Sequence, residues 1–276
     1  MIDLHLHSRA SDGALTPAEL VSLAASRGVK MLALTDHDCT DGLAEASHAA
    51  ANNDIRFIPG VEISVSLQNQ TLHIVGLDID ADNAALQQGL TRLQGLREVR
   101  AQEIGRRLAK RGIEDAYAGA RELAGDAEIT RTHFAQHLQA SGHVRTFQEA
   151  FKRFLQRGKP GYAPVTWSSL EECIGWIHAA GGHAVLAHPL RYGLTRPRLL
   201  RALAAFKQAG GDGLEVVCGR SNRDELMSAA HLASRYELAG SVGSDFHTPG
   251  NPYLQPGGLA ELPEQIEPIW NRFRSN

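Results

Sequence analysis

The first dozen residues carry Asp3-Leu4-His5-Leu6-His7 and then Ser11-Asp12-Gly13. Side chains repeat every two residues along a strand, so His5 and His7 share a face. Two imidazoles leaving one strand on one side can grip a metal ion. Asp3 lies on that face too, where its carboxylate could accept a ring N–H and fix a ligand's tautomer. Asp12 follows in a Gly-containing turn and can swing back toward the same mouth. A chance H-x-H pair that binds nothing is the competing reading, and the neighbouring carboxylates weigh against it.

Later stretches repeat the theme. Thr35-Asp36-His37-Asp38 closes an apolar run. A helix cap explains one of those aspartates, but not a histidine between two carboxylates, so His37 reads as a ligand. Glu62 stands between Val61 and Ile63. Buried and unpaired it would be costly. It could sit on an exposed strand face, but a carboxylate bridging two ions explains it better. Asp245-Phe246-His247 repeats the two-residue spacing after Gly243-Ser244. His188 precedes Pro189, which disfavours helix at 188 and lets the imidazole project from a strand end toward metal, phosphate or a leaving group. His73 and His133 taken singly read as satisfied core histidines, and the accumulating set shifts both toward metal. His48, His137, His143, His178, His183 and His231 lack such company and read as surface or packing residues.

Nitrogen and oxygen donors without cysteine suit Mn²⁺, Zn²⁺ or Fe²⁺. So many donors exceed the needs of one ion, and two or three ions sharing Glu62 is the natural solution. Ions about 3.5–4 Å apart can bind phosphate oxygens, acidify a bridging water and stabilise in-line displacement. A phosphate ester is therefore the expected substrate class. No G-x-G-x-x-G or G-x-x-x-x-G-K-[ST] loop is present, and the serines near these clusters lack a G-x-S-x-G context.

These groups need a scaffold. The 276 residues are 43% hydrophobic with 27 Gly and 11 Pro, which fits an α/β protein with many turns. About seven strands are expected: Ile2–Leu6, Lys30–Thr35, Ile55–Ile58 leading to Val61–Val65, Thr71–Asp78, His183–Ala187, Gly213–Val217 and Leu238–Val242. Thr16-Pro17-Ala18-Glu19 and Ser169-Leu170-Glu171-Glu172 are capping-box starts of helices between them. The polar clusters follow strand C-termini, the edge where parallel α/β folds build sites. From about Ala81 to Gly158 the strand runs vanish, which predicts a helical insertion or cap. Leu93, Leu96, Ile104 and Leu108 can share one face there, with Arg97, Arg100, Arg106, Arg107, Lys110 and Arg111 on the other. Gly158–Pro164 reads as a hinge. The net charge of -3 advertises no global basic field. Three scattered cysteines argue for a reducing compartment. No signal peptide and no apolar run near the ~20 residues of a membrane span are visible. A cytoplasmic protein without membrane contact is expected.

In order, Asp3-Leu4-His5-Leu6-His7, Asp12-Gly13, Thr35-Asp36-His37-Asp38, Gly60-Val61-Glu62, His73, His133, Ala187-His188-Pro189 and Ser244-Asp245-Phe246-His247 resemble the polymerase-and-histidinol-phosphatase (PHP) family over nearly the whole chain. The resemblance implies a distorted (β/α)7 barrel over residues 1–80 and 159–276, with the helical cap over 81–158. It implies two or three ions, Mn²⁺ foremost, with Zn²⁺, Fe²⁺ or Mg²⁺ as alternatives. His5, His7, Glu62 and Asp245 would hold the first ion, Glu62, His73 and His133 the second, and Asp12, His37 and His247 the third. His188 would stand beside them as phosphate contact or general acid, making His188, Asp245 and Glu62 the catalytic group. Within the family, Ser11–Pro17, Leu72–Leu77, Thr130–Ala135 and Gly158–Tyr162 are similar to a branch of nucleoside 3′,5′-bisphosphate phosphatases and 5′-to-3′ exoribonucleases. That implies a nucleotide or a short RNA 5′ end as substrate, and no stable protein partner. Arg131, Lys159 and Arg191 are candidate 5′-phosphate readers, each otherwise an ordinary surface ion pair. Tyr162 and Phe134 are candidates for stacking on the base. The Arg97–Arg111 face could guide RNA, though a solvated helix face is the simpler reading. Alternatives are a phosphatase for another phosphomonoester such as histidinol phosphate, or a non-catalytic metal-stabilised module. A binuclear amidohydrolase would add a metal-bridging lysine, which no apolar strand here offers.

Overall fold

In the computed structural model, which describes residues 1–250 and 254–274, seven strands form one sheet in chain order. They are β1 (Ile2–Asp3), β2 (Met31–Leu34), β3 (Arg56–Leu67), β4 (Gln70–Leu77), β5 (His183–Leu186), β6 (Gly213–Cys218) and β7 (Ala239–Gly243). The sheet closes across a seam between the first and last strands. Leu4 N donates to Val242 O at 2.9 Å, Asp245 N to His5 O at 2.9 Å and His7 N to Phe246 O at 3.0 Å. Alternation sorts the apolar residues. Leu4, Ala33, Ile58, Val75, Val185 and Ala239 pack together inside the barrel, with Ile269 and Phe273 joining them. Leu32, Leu34, Ile63, Ile74 and Leu214 belong to the outer layer under the helices.

Helices α1 (Pro17–Ser26) and α2 (Leu43–Ala51) connect the first three strands, and α1 starts with the Thr16–Glu19 capping box that its sequence predicts. β1 to β3 are parallel, as are β5 to β7. β4 departs from strict β/α alternation: it runs antiparallel to both neighbours. A two-residue hairpin replaces the helix, with Gln68 at φ 51° and Asn69 at φ 62°, the left-handed pair that suits the twist of a hairpin. β3 also passes unbroken through Pro59-Gly60, where the sequence suggests an interruption. Its twelve residues overshoot the four of β2, so the hairpin stands above the barrel mouth and β4 descends from there. This overhang places His73 opposite Ser64, at the level where the other strands end.

Between β4 and β5 lie α3 (Ala84–Ala109), α4 (Ala116–Ala124), α5 (Arg131–Ala140), α6 (Phe147–Ala150) with a π-helical turn at Phe151–Leu155, and then α7 (Leu170–Ala179). The first half of α3 packs on the barrel through Leu86, Leu90 and Leu93. The second half joins a separate core with Ile104, Leu108, Phe134, Leu138 and Leu155. Arg97 corrects the picture of a solvated basic face. It is buried, donates to Asp38 Oδ2 at 2.7 Å and Ser64 Oγ at 3.0 Å, and lies 5.4 Å over the Trp167 ring. The remaining connections are α8 (Arg196–Gln208) and α9 (Arg223–Arg235). Among the described residues, no helix is long and apolar enough to cross a membrane.

Gly243, the last residue of β7, is dictated by the site it borders. A Cβ there would lie 2.3 Å from His5 Cβ and 2.4 Å from Glu215 Oε1. Gly243→Ala is expected to cost about 1–3 kcal/mol through overpacking, read as a lower urea midpoint with unchanged helical content.

Candidate metal centre

Glu62 sits where β3 leaves the end of β2. Its N–H donates to Asp36 O at 3.1 Å and its carbonyl accepts from Asp38 N at 2.9 Å. Its carboxylate is 1% exposed and ringed by imidazoles. His73 Nδ1 lies 3.0 Å, His188 Nε2 3.1 Å and His5 Nε2 3.3 Å from Oε1. His37 Nδ1 lies 2.8 Å and His7 Nε2 3.4 Å from Oε2. Two more carboxylates flank this centre. Asp245 Oδ1 is 3.4 Å from His7 Nε2 and 3.6 Å from His247 Nδ1. Asp12 Oδ1 is 3.3 Å from His247 Nε2 and 3.9 Å from His37 Nε2. Four groupings bring their donor atoms within 4.8 Å of one another: His7/Asp12/His37/His247, His5/His7/Asp245, His5/Glu62/His188 and His37/Glu62/His73.

Several of these contacts are close without being hydrogen bonds. His37 Nδ1, His73 Nδ1, Glu62 Oε2 and Asp12 Oδ1 are buried without a hydrogen-bond partner, although His37 Nδ1 and Glu62 Oε2 are only 2.8 Å apart. With the imidazoles neutral and the carboxylates ionised, these atoms can offer lone pairs to a shared point. A convergent set of imidazoles and carboxylates without thiolates fits divalent cations, and the cluster points to a metal cofactor.

Without metal, charge is shared unevenly among these groups. Burial works against an ionised Glu62, but the charges of His73, His5 and His37 outweigh it and hold its pKa well below the usual range. Burial likewise opposes ionised Asp12, and His247 and His37 prevail. His247 is raised to about 10 against burial by Asp12 and Asp245. Burial, with the like charges of His247 and His37, pushes His7 down to about 3.

The surrounding residues aim the donors. His5 Nδ1 pairs with Glu215 Oε1 at 3.1 Å, which leaves Nε2 for the centre. Glu215 Oε2 also accepts from His188 N at 2.5 Å. Glu215 therefore performs the service expected of Asp3. Asp3 is turned to the seam, where it accepts from Ser244 N at 2.9 Å and Gly257 N at 3.0 Å. Burial raises its pKa to about 6. A lone acid in the otherwise apolar strand Gly213–Cys218 is the signal that sequence reading passed over. Asp36 grips Ser8 Oγ at 2.7 Å and Ser11 Oγ at 2.5 Å, pinning the loop that carries Asp12. Asp38 accepts from Ser64 N at 2.7 Å. His37 is thus held between two structural carboxylates. Asp38, His188 and Asp245 have left-handed backbones at φ 50°, 31° and 54°, a conformation that costs energy and clusters at functional sites.

Most of the expected ligand positions meet here; His133 does not. It is the third residue of α5, and its Nδ1 accepts from Thr130 N at 3.0 Å to close a capping box. His188 instead shares Glu62 Oε1 with His73. The insertion reaches the cluster by other atoms: Thr130 Oγ1 and Thr132 Oγ1 lie 3.1 and 2.8 Å from Asp12 Oδ2.

A cavity of about 660 Å³ opens above the cluster, and Arg97, Arg100, Arg131, Tyr162, Trp167 and Arg191 are among its walls. Arg100 lies 5.5 Å over Trp167 and Arg131 5.9 Å over Phe151, and neither pairs with a carboxylate among the described residues. Burial, together with like charges nearby, disfavours the cation at both. Two of the expected substrate contacts fall elsewhere. Lys159 is exposed and lies outside the cavity wall, and Phe134 is fully buried in the core of the insertion. In the sequence Arg100 reads only as part of a basic helix face that could guide RNA or be solvated, and Trp167 is passed over because a tryptophan after a hinge looks like core. Among the described residues, no lysine lines the cavity.

The Asp12–His247 pair predicts a pH window for the metal-free protein. Asp12 has a depressed pKa, so its contribution to stability is present above about 4 and lost on acidification. His247 has a raised pKa, so its contribution is full below 6.5 and lost as pH rises through about 10. The urea midpoint of metal-free protein should fall between about pH 6.5 and 9.5. His247→Gln should lower the midpoint at the first pH and flatten the fall.

Set beside known proteins, the chain matches the PHP domain over residues 3–182. It is 47% identical over 275 residues to a 3′,5′-nucleoside bisphosphate phosphatase of Chromobacterium violaceum, spanning 99% of this chain and 96% of the relative. It is 44% identical over 272 residues to a 5′-3′ exoribonuclease of Haemophilus influenzae, spanning 98% of each. A solved structure from Chromobacterium violaceum, named an amidohydrolase with bound sulfate and no metal, superposes with a TM-score of 0.93 at 47% identity, covering 98% of this chain and 95% of the other. One from Bifidobacterium adolescentis, for which a metal-dependent phosphoesterase activity is proposed, gives a TM-score of 0.82 at 27% identity, covering 99% and 96%. Ligand cluster, barrel and near full-length similarity agree, and the chain belongs to the PHP family.

Proposed function

We propose that the protein is a metal-dependent phosphoesterase that hydrolyses the ester on the 3′ oxygen of nucleotides bearing a 5′-phosphate. The products are a 5′-mononucleotide and either phosphate, from 3′,5′-bisphosphate nucleotides, or a shortened chain, from 5′-monophosphorylated RNA. One observation carries this reading: the same cavity has the ligand cluster on its floor and two guanidiniums without carboxylate partners, Arg100 and Arg131, on its wall. The activities named for the Chromobacterium and Haemophilus relatives support it.

Two or three divalent ions, Mn²⁺ foremost, would be held by His5, His7, Asp12, His37, Glu62, His73, His188, Asp245 and His247, supplying Lewis-acid charge to the scissile phosphate and an acidified water. Glu62, with both oxygens facing imidazoles, would be shared within that set. Arg100 and Arg131 take the 5′-phosphate; Arg in particular suits a phosphate fork. Their place on the wall sets which ester reaches the floor. Arg191 adds positive charge at the rim, and Tyr162 offers a ring to the base. The cavity volume lies within the roughly 300–1,000 Å³ of small-molecule sites. Residues 81–158 act as a cap on the barrel of 1–80 and 159–276. The buried free Cys39, Cys173 and Cys218 support a reducing, cytoplasmic setting. Histidinol phosphate, with its cationic amine, would leave Arg100 and Arg131 without an anion, which disfavours that substrate.

The test is a side-by-side assay with Mn²⁺ on 3′-phosphoadenosine 5′-phosphate, 5′-monophosphorylated RNA, 5′-hydroxyl RNA and histidinol phosphate. The first two should yield 5′-mononucleotides and the others little. Glu62→Gln and Asp245→Asn should abolish turnover while the fold persists. Arg100→Ala and Arg131→Ala should each raise KM for 5′-phosphorylated substrates about 10- to 100-fold, the worth of a charged hydrogen bond. Absence of mononucleotide release from both substrates, or faster turnover of histidinol phosphate, would defeat the proposal.

A further inference from the structure

We propose that Thr130 and Thr132 are positioning residues for one ion site alone, the grouping of His7, Asp12, His37 and His247. Through them the helical segment, not the barrel, sets the affinity of that site. The inference rests on the reading of the cluster as a divalent-metal centre.

Asp12 is the one carboxylate of the cluster carried by a loop without strand pairing. The loop is tied to itself by Gly13 N donating to Ser8 O at 2.8 Å and to the barrel by the grip of Asp36 on Ser8 and Ser11. Nothing in that loop orients the Asp12 carboxylate. The orientation comes from the start of α5. Thr130 Oγ1 and Thr132 Oγ1 both donate to Oδ2, at 3.1 and 2.8 Å. Oδ1 is buried without a hydrogen-bond partner and faces His247 Nε2 and His37 Nε2. Turning the carboxylate would break both hydroxyl contacts, so the pair on Oδ2 aims Oδ1.

The turn itself is rigid. Thr130 Oγ1 accepts from Thr132 N at 3.1 Å, and His133 Nδ1 accepts from Thr130 N at 3.0 Å. This gives His133 a purpose that explains its company: it locks the turn that holds a ligand without being one. Arg131, between the two threonines, lines the cavity. The other groupings are supported elsewhere, by the hold of Glu215 on His5 and His188 and by the pairing of Arg97 with Asp38 beside His37, and none of these contacts involves the threonines. A defect at the threonines should therefore reach one site and spare the rest.

Thr132→Val removes a hydroxyl while keeping side-chain shape and the Thr130 cap; Thr132→Ser keeps the hydroxyl. Mn²⁺ binding to metal-free full-length protein is measured by titration calorimetry and equilibrium dialysis. One class of site should weaken about 10-fold or more in Thr132→Val, the usual effect of losing a group that orients a ligand. The other sites should keep wild-type affinity, Thr132→Ser should behave as wild type, and Asp12→Asn should lose the same class of site. Wild-type binding by Thr132→Val, or equal weakening of every site, overturns the inference. A wild-type chain that binds no Mn²⁺ overturns the metal-centre reading beneath it as well.

Discussion

A buried carboxylate stays ionised only if compensating charge surrounds it, and Glu62 imposes that condition on the whole barrel mouth. Its side chain is 1% exposed and its two oxygens face five imidazoles. Those imidazoles come from the segment after β1, the loop after β2, strand β4 and the loop after β5. The main elements of the fold must end or bend at one level for this to hold. The overhang of β3, the reversal of β4 and the left-handed residues His188 and Asp245 all serve that convergence. Protons satisfy the arrangement only in part, since several donor atoms remain unpartnered.

The support around the ligands is as ordered as the ligands. Glu215 orients His5 from a strand, Asp36 and Asp38 brace either side of His37, and Arg97 neutralises Asp38 from a helix of the insertion. Arg97 and the threonine pair join the insertion to two different ligand loops. The second hydrophobic core of the insertion is therefore mechanically continuous with the metal centre, although it shares no apolar residues with the barrel core.

Much of this was legible in the chain. The two-residue spacings of His5/His7 and Asp245/His247 declare a shared face because strands alternate, and Glu62 stands out against Val61 and Ile63. Strand direction was not legible: a period of two reads the same either way, and the Gln68-Asn69 turn lacks the glycine that marks most hairpins. His133 misled because a histidine after Thr-x-Thr can cap a helix as well as bind metal, and only the contact with Thr130 decides. Phe134, next to it on the helix, packs into the core of the insertion and not against the cavity. Glu215 was invisible because its partner His5 lies far away along the chain.

The seam of the barrel carries one more consequence. His5 and His7 follow the first strand, and Asp245 and His247 follow the last, yet they meet across the hydrogen bonds that close the sheet. A ribosome delivers one pair long before the other. His5 and His7 therefore find these partners only after β7 has been made. A chain interrupted before β7 has the His37, Glu62 and His73 grouping but lacks the two that need Asp245 or His247.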